Sequence, residues 1–220
     1  MRQSGRRPKL GRSASLVAGA AVALAVLTAC QGDPDPSASE TSAVPTPSAA
    51  SSSVPSSSSA TPEPSPASSL GPAAHLPVPV KPALADENSA EGLEAFTEYW
   101  FELFSYGYET NDWLIYDELT DAGCRTCANL SGQVRQLYAE EGWIEGGNVD
   151  LISHDTEFTE NTSGSVNSFV DVQQDELIYY DSNGQEINRS EALPPTINVT
   201  IALWEEGSWI MLDFGSPEGA

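Results

Sequence analysis

"NSAEGLEAFTEYWFELFSYGYE", residues 88–109, decides how this chain is read. Leu93, Phe96, Trp100, Leu103 and Phe104 recur at i, i+3, i+7, i+10 and i+11, which puts them on one face of a helix. Asn88 followed three residues later by Glu91 fits a capping box at the N-terminus. Glu94, Glu98 and Glu102 stand four apart on another face. Like charges at that spacing cost about 0.2–0.5 kcal/mol per pair, so the stripe is either solvated or neutralised by something else.

Downstream, "NDWLIYDELT" (111–120) reads as a short second helix capped by Asn111. A third runs from about Ala122 to Glu141, with Cys127, Leu130, Val134, Leu137 and Tyr138 on one face and Gly142 as its stop. The pattern then changes from helical to alternating. Residues 148–160 alternate approximately, and "SVNSFVDVQQ" (165–174) places Val166, Ser168, Val170 and Val172 on one side. "DSNG" (181–184) is a turn through Asn183-Gly184, after which the chain loops past Pro194-Pro195. In "TINVTIALW" (196–204) Ile197, Val199, Ile201 and Leu203 alternate with Asn198, Thr200 and Ala202; "EEG" (205–207) then turns into "SWIMLDF" (208–214) as a hairpin. Helices followed by an antiparallel meander predict an α+β fold, its helices packed on one face of a curved antiparallel sheet. This element order resembles the nuclear-transport-factor-2-like cone, in which three helices and a bent sheet enclose a pocket. A cystatin-like layout with fewer helices is the alternative.

All 18 aromatic residues lie between Phe96 and Phe214, so the core belongs to a domain over residues 85–220. "HLPVPVKPALA" (75–85) is apolar, with prolines at 77, 79 and 82, and is expected to run extended and lean on that domain, because proline cannot serve a central strand. His75 at its start is expected to be solvated. From Gln31 to Pro72, 32 of 42 residues are Ser, Pro, Ala or Thr, too few apolar side chains to offset the entropy of ordering. Residues 30–84 are therefore expected to form a disordered tether, which as a flexible coil reaches about 40 Å.

Residues 1–29 have the build of an export signal. Arg2, Arg6, Arg7, Lys9 and Arg12 precede an uncharged apolar run at 14–27, shorter than the roughly 20 residues of a membrane span. The run closes on "LTAC" (27–30), which resembles a bacterial lipobox. That resemblance implies a diacylglyceryl thioether on Cys30. Each buried methylene contributes about 0.8 kcal/mol, so two acyl chains hold firmly where one binds reversibly. The expected location is the extracytoplasmic face of the cell membrane. Beyond the signal, only Lys81, Arg125, Arg135 and Arg189 stand against 32 acidic residues. Such a surface repels nucleic acid and anionic headgroups, so no nucleic acid is expected as partner and the lipid anchor is the expected membrane contact. The lipobox, the Ser/Pro tether, "GLEAFTEYWFELFSYGYETND" (92–112), Cys124 with Cys127 and "GWIEGG" (142–147) together are similar to a group of uncharacterised actinobacterial lipoproteins. That similarity implies no activity.

Cys124 and Cys127 are the thiols left once Cys30 is acylated. Outside the cytoplasm disulfides persist, which favours a structural bridge at the start of the third helix, worth about 2 kcal/mol on loop entropy. A redox pair is the second reading, since Arg125 and a helix N-terminus lower a thiol pKa; but a thioredoxin-like motif should follow a strand in a βαβ unit. Zinc would need two further ligands, and the sequence offers His75 and His154. His154 beside Asp155 is the best candidate general base, although neighbours in a strand point to opposite faces. A hydrogen-bonded or exposed histidine is the plainer reading. Asp171 and Asp213 are candidate pocket acids. Residues 181–192 depart from a calcium loop, with Gly184 fourth and Glu191 eleventh where positions 6 and 12 are required. Nucleophile elbow, phosphate loop and nucleotide fingerprint are absent from the sequence. The sequence thus predicts a non-enzymatic domain, without cofactor, that binds a small apolar ligand or an envelope protein. The alternatives are a lyase or isomerase using His154, a thiol oxidoreductase using Cys124 and Cys127, or a purely structural envelope protein.

Overall fold

The computed structural model describes residues 62–217. The signal segment, Cys30 and the tether up to residue 61 lie outside the described residues. Among the described residues, no helix is long and apolar enough to cross a membrane.

Helix α1 (Ala90–Thr110) is capped by Ser89, whose Oγ accepts the Gly92 amide at 3.0 Å. Ser89 takes this role in place of Asn88. Leu93, Phe96, Trp100, Leu103 and Phe104 are buried, as their spacing predicts, but so are Thr97, Tyr99, Phe101 and Tyr108. The helix is covered on most sides, because a 3-10 turn (Ala83–Asp86), the later helices and the strands all pack on it. What remains exposed along it includes the carboxylate stripe of Glu91, Glu94, Glu98 and Glu102. The helix ends at Asn111 in the left-handed region (φ 59°). Asn111, expected to start the second helix, therefore closes the first, and its Oδ1 accepts the Trp113 indole N–H at 3.2 Å. Helix α2 is the short Leu114–Glu118, its first amide taken by Asp112 Oδ1 at 3.2 Å. Gly107 permits the contact between them: a Cβ there would stand 2.5 Å from the Trp113 ring.

Helix α3 (Arg125–Ala139) is shorter at both ends than its periodicity suggests. It closes in a Schellman arrangement, with Glu141 N–H on Tyr138 O and Gly142 N–H on Leu137 O, both 3.0 Å. Glu141 holds the positive φ (61°), not Gly142. Gly142 is required for a different reason, since a Cβ would fall 2.5 Å from the Tyr180 carbonyl.

Seven strands follow: β1 (Trp143–Gly146), β2 (Val149–Asp155), β3 (Ser165–Gln174), β4 (Leu177–Tyr180), β5 (Glu186–Ser190), β6 (Leu193–Glu205) and β7 (Ser208–Gly215). The single curved sheet expected from the sequence is instead two antiparallel sheets, β1-β4-β5 and β2-β3-β6-β7. The chain passes between them at Gly146-Gly147, both at positive φ, again between β3 and β4, and a third time between β5 and β6. A bulge at Ile152 adds bend to β2, and a second gives β6 an extra residue between Leu193 and Thr196, opposite Val172–Gln174 of β3. Pro194 and Pro195, expected in a loop, begin β6 beside the second bulge. Val166, Ser168, Val170 and Val172 are buried as one row. Their partners on β6 are Ala202, Thr200, Asn198 and Thr196. The more apolar row of β6 thus faces away from the helices, and Ile197 is 58% exposed.

Residues 62–84 correct the expected tether boundary. Ser65 pairs with Ala74 and Ser68 with Gly71 through backbone hydrogen bonds of 2.8–3.0 Å. Ala67 is buried against Trp143 and Tyr180, and the Trp143 indole donates to the Ser68 carbonyl at 2.8 Å. The segment is held by side chains of the smaller sheet, which composition alone does not reveal. Residues 76–81 then run beside α1 without backbone–backbone hydrogen bonds among the described residues.

Candidate functional site

Between α1, α3 and the buried face of the larger sheet lies a cavity of about 220 Å³. α1 contributes Phe101, Phe104 and Tyr108, three residues within two helical turns, and α3 contributes Leu130. Val149, Val172, Gln174, Thr196, Asn198 and Phe214 complete the wall from the strands, with Leu193 at its exposed edge. The rings are fixed by each other: Phe104 meets Tyr108 edge-on at 4.8 Å and Phe101 meets Phe214 at 5.3 Å. The polar groups facing the space are neutral. Burial pushes the Tyr108 phenol up to about 12, so it stays protonated and able to donate at ordinary pH. No charged side chain lines the cavity among the described residues. The volume is below the roughly 300–1,000 Å³ usual for drug-sized ligands, which restricts any occupant to a small molecule.

The sequence candidates are placed elsewhere. His154 is opposite Val170 in the register and so shares the buried face, but it lines a separate shallow cleft of about 230 Å³ with Glu91, Glu94 and Thr156. Burial holds its pKa below the usual imidazole range, while Glu94 and Asp155 act in the other direction. Its Nε2 is buried with no hydrogen-bond partner among the described residues. Asp171 pairs with Ile197 on the face turned away from the helices. Asp213 accepts the Phe214 amide at 2.9 Å and lies 3.5 Å from Cys124 Sγ. None of these three reaches the cavity. Gln174, Thr196 and Asn198 do, and sequence reasoning passed over them. The available signal was parity: Gln174 follows Val172 by two, and Asn198 precedes Thr200 by two.

Cys124 and Cys127 form a disulfide with Cα atoms 5.3 Å apart at the entry to α3. Both are 1% exposed, which shields the bridge from an attacking thiolate. They line a groove of about 380 Å³ between α2 and α3, together with Tyr116, Ser131 and Arg135. Arg135 is engaged already: its Nη2 donates to both Asp117 carboxylate oxygens, at 2.7 and 2.8 Å, and its guanidinium lies 5.6 Å above the Trp113 ring. Among the described residues no group of three His, Cys, Asp or Glu side chains is arranged to hold a metal ion. In the 181–192 segment the Asp181 carboxylate accepts the Asn183 and Gln185 amides, both at 2.9 Å, and so serves the β4–β5 turn.

The chain belongs to DUF6318, a family of unknown function, which matches residues 62–214. No curated protein matches the chain in sequence. Similar solved structures include the intermembrane space region of the chloroplast protein ARC6, at 11% identity and a TM-score of 0.39, covering 58% of this chain and 95% of that one. Aln2 from a Streptomyces species matches at 10% identity and 0.35, over 56% and 88% of the two chains. An uncharacterized protein with a cystatin-like fold from Caulobacter vibrioides matches at 14% and 0.32, over 58% and 92%. At these scores the likenesses carry no argument about what this chain does.

Proposed function

We propose that this DUF6318 member is a lipid-anchored protein of the extracytoplasmic membrane face whose domain binds a small, uncharged, largely apolar ligand without transforming it. The observation that carries the reading is the charge-free aromatic cavity in a chain with 32 acidic residues. Apolar walls favour a desolvated ligand, and Tyr108, Gln174 and Asn198 supply a few neutral hydrogen-bonding groups to orient one polar end. A carboxylate or ammonium would have to shed its hydration there with no counter-charge, a cost of several kcal/mol. The helices close over the sheet in the manner of a nuclear-transport-factor-2-like cone, and that arrangement makes the space a pocket. The anchor rests on the lipobox ending at Cys30, and the oxidising surroundings it implies suit the buried Cys124–Cys127 bridge. Catalysis by His154 lacks support, because that side chain borders a different cleft.

The test uses the full chain in neutral detergent and 1-naphthol as a fluorescent probe. Binding should be saturable and lost in Val172→Phe, which fills the cavity, while Ile197→Ala on the opposite face leaves it intact. Equal binding to wild type and Val172→Phe would refute the cavity as the site. The anchor is tested separately: radiolabelled palmitate should enter the wild-type chain and not Cys30→Ser.

A further inference from the structure

Two features of the sequence remain outside that reading: the carboxylate stripe of α1 and the proline-spaced run at 76–82. The fold brings them together. Residues 76–80 stand beside α1 and enclose with it a cleft of about 570 Å³, with Glu102, Tyr106 and Glu109 on the helix side and Asn148 also lining it. Glu102 and Glu109 are seven residues apart, two turns of one helix, so both carboxylates face the same cleft. Neither carboxylate has an ion-pair or hydrogen-bond partner among the described residues. Burial raises the pKa of both, and Glu98 adds to the effect at Glu102.

The described residues supply no cation to offset them. Lys81, which directly follows the 76–80 wall, pairs with Asp86, and Arg125 at the start of α3 forms no ion pair with either carboxylate. Arg135 is held by Asp117 and Arg189 by Glu176 and Glu186. The other wall is apolar and extended, with Val78 43% and Val80 84% exposed. Among the described residues the backbone of 76–81 makes no backbone–backbone hydrogen bond, so its amides and carbonyls between the prolines are available to pair with another chain.

We propose that this cleft is a docking site for an extended, cationic segment of another protein. A lysine or arginine of that segment lies between Glu102 and Glu109, while its apolar side chains and backbone run along residues 76–80. Charge complementarity selects this occupant. A second copy of this acidic chain, or an anionic surface, would bring like charge to like charge. The partner resembles in type the strand-addition mode of peptide recognition, with alternate side chains giving specificity.

The full chain in neutral detergent is titrated against a fluorescein-labelled Lys-Val-Lys-Val-Lys-Val peptide by anisotropy. The same peptide with Glu for Lys, and free spermine, serve as comparisons. The Lys/Val peptide should bind, the Glu/Val peptide should not, and Glu102→Gln with Glu109→Gln should weaken binding about tenfold or more, as for loss of a partly desolvated charge pair. Glu91→Gln with Glu94→Gln, farther up the same helix, should leave it unchanged. Val78→Ser should weaken it without altering salt dependence. An equal loss in the Glu91/Glu94 pair would reduce the effect to overall charge and overturn the proposal. Spermine displacing the peptide completely at equal concentration would overturn the peptide reading in favour of a small polycation. Binding of 1-naphthol is independent of all these variants, so failure here leaves the cavity reading standing.

Discussion

Thr200→Val is expected to stabilise this protein, against the usual direction of a core substitution. Thr200 is 1% exposed, and its Oγ1 has no hydrogen-bond partner among the described residues. Across the ladder stands Ser168, also 1% exposed and with an equally unpartnered Oγ. A buried hydroxyl without a partner costs about 1–3 kcal/mol in lost hydration. Valine keeps the β-branched shape and puts a methyl where the hydroxyl was, adding roughly 0.8 kcal/mol of apolar burial before packing adjustments. The net expectation is a gain of about 1–2 kcal/mol. For a chain of this size that raises Tm by roughly 2–8 °C. Urea denaturation of the full chain is the assay, with the midpoint moving and the m-value constant. Thr97→Val is the control: Thr97 is as buried, but its Oγ1 donates to the Leu93 carbonyl at 2.8 Å, so removing it should cost about 0.5–1.5 kcal/mol. A loss of about 1 kcal/mol or more in Thr200→Val would refute the reasoning. If Ser168→Ala then recovered that loss in the double variant, the two hydroxyls act as a joined polar pair.

Three further outcomes follow from the same packing. Replacing Cys124 and Cys127 by serine should lower stability by about 2 kcal/mol, whereas reductant without denaturant should leave the bridge intact, read by mass after alkylation. Gly107→Ala should lose about 1–3 kcal/mol despite alanine's better helix propensity, because its Cβ meets the Trp113 ring at 2.5 Å; a stabilised variant in thermal melts would contradict the contact. Burial depresses the pKa of folded His154, so the unfolded chain binds the proton first. The stability it confers is complete above the unfolded value of about 6.5 and declines as pH falls below it. His154→Gln should flatten that part of the stability–pH curve, and an unchanged curve would mean the imidazole is as free as in the unfolded chain.

Long amphipathic and alternating runs were legible because their period reports one buried face. The spacing in α1 named five residues that are all buried, though Thr97, Tyr99, Phe101 and Tyr108 are buried beside them, and the alternation of 165–174 named the inner row of β3 residue by residue. Short strands were not legible: β1 and β4 have four residues each, too few for alternation to stand out. Caps were misassigned by one or a few positions, since Ser89 and Asn88, or Glu141 and Gly142, are equally eligible until the chain's approach is known. The cavity was foreseen only as a consequence of element order, and the residues foreseen for it, His154, Asp171 and Asp213, went to other places.

Local rules therefore determined the α+β class, the principal helix and the terminal hairpin, because these depend on neighbours within a few residues. Export and acylation at Cys30 are likewise expectations read from a contiguous segment. The tertiary structure decided the rest. Whether β6 turns its apolar row or its Asn198–Thr200–Ala202 row toward the helices is a choice between two faces of one strand, and pairing with β3 settles it. Residues 62–84 look like tether in composition, yet Trp143 and Tyr180 hold Ala67 and Ser68 from far along the chain. A cavity is bounded by side chains distant in sequence, and no local pattern can describe the space between them.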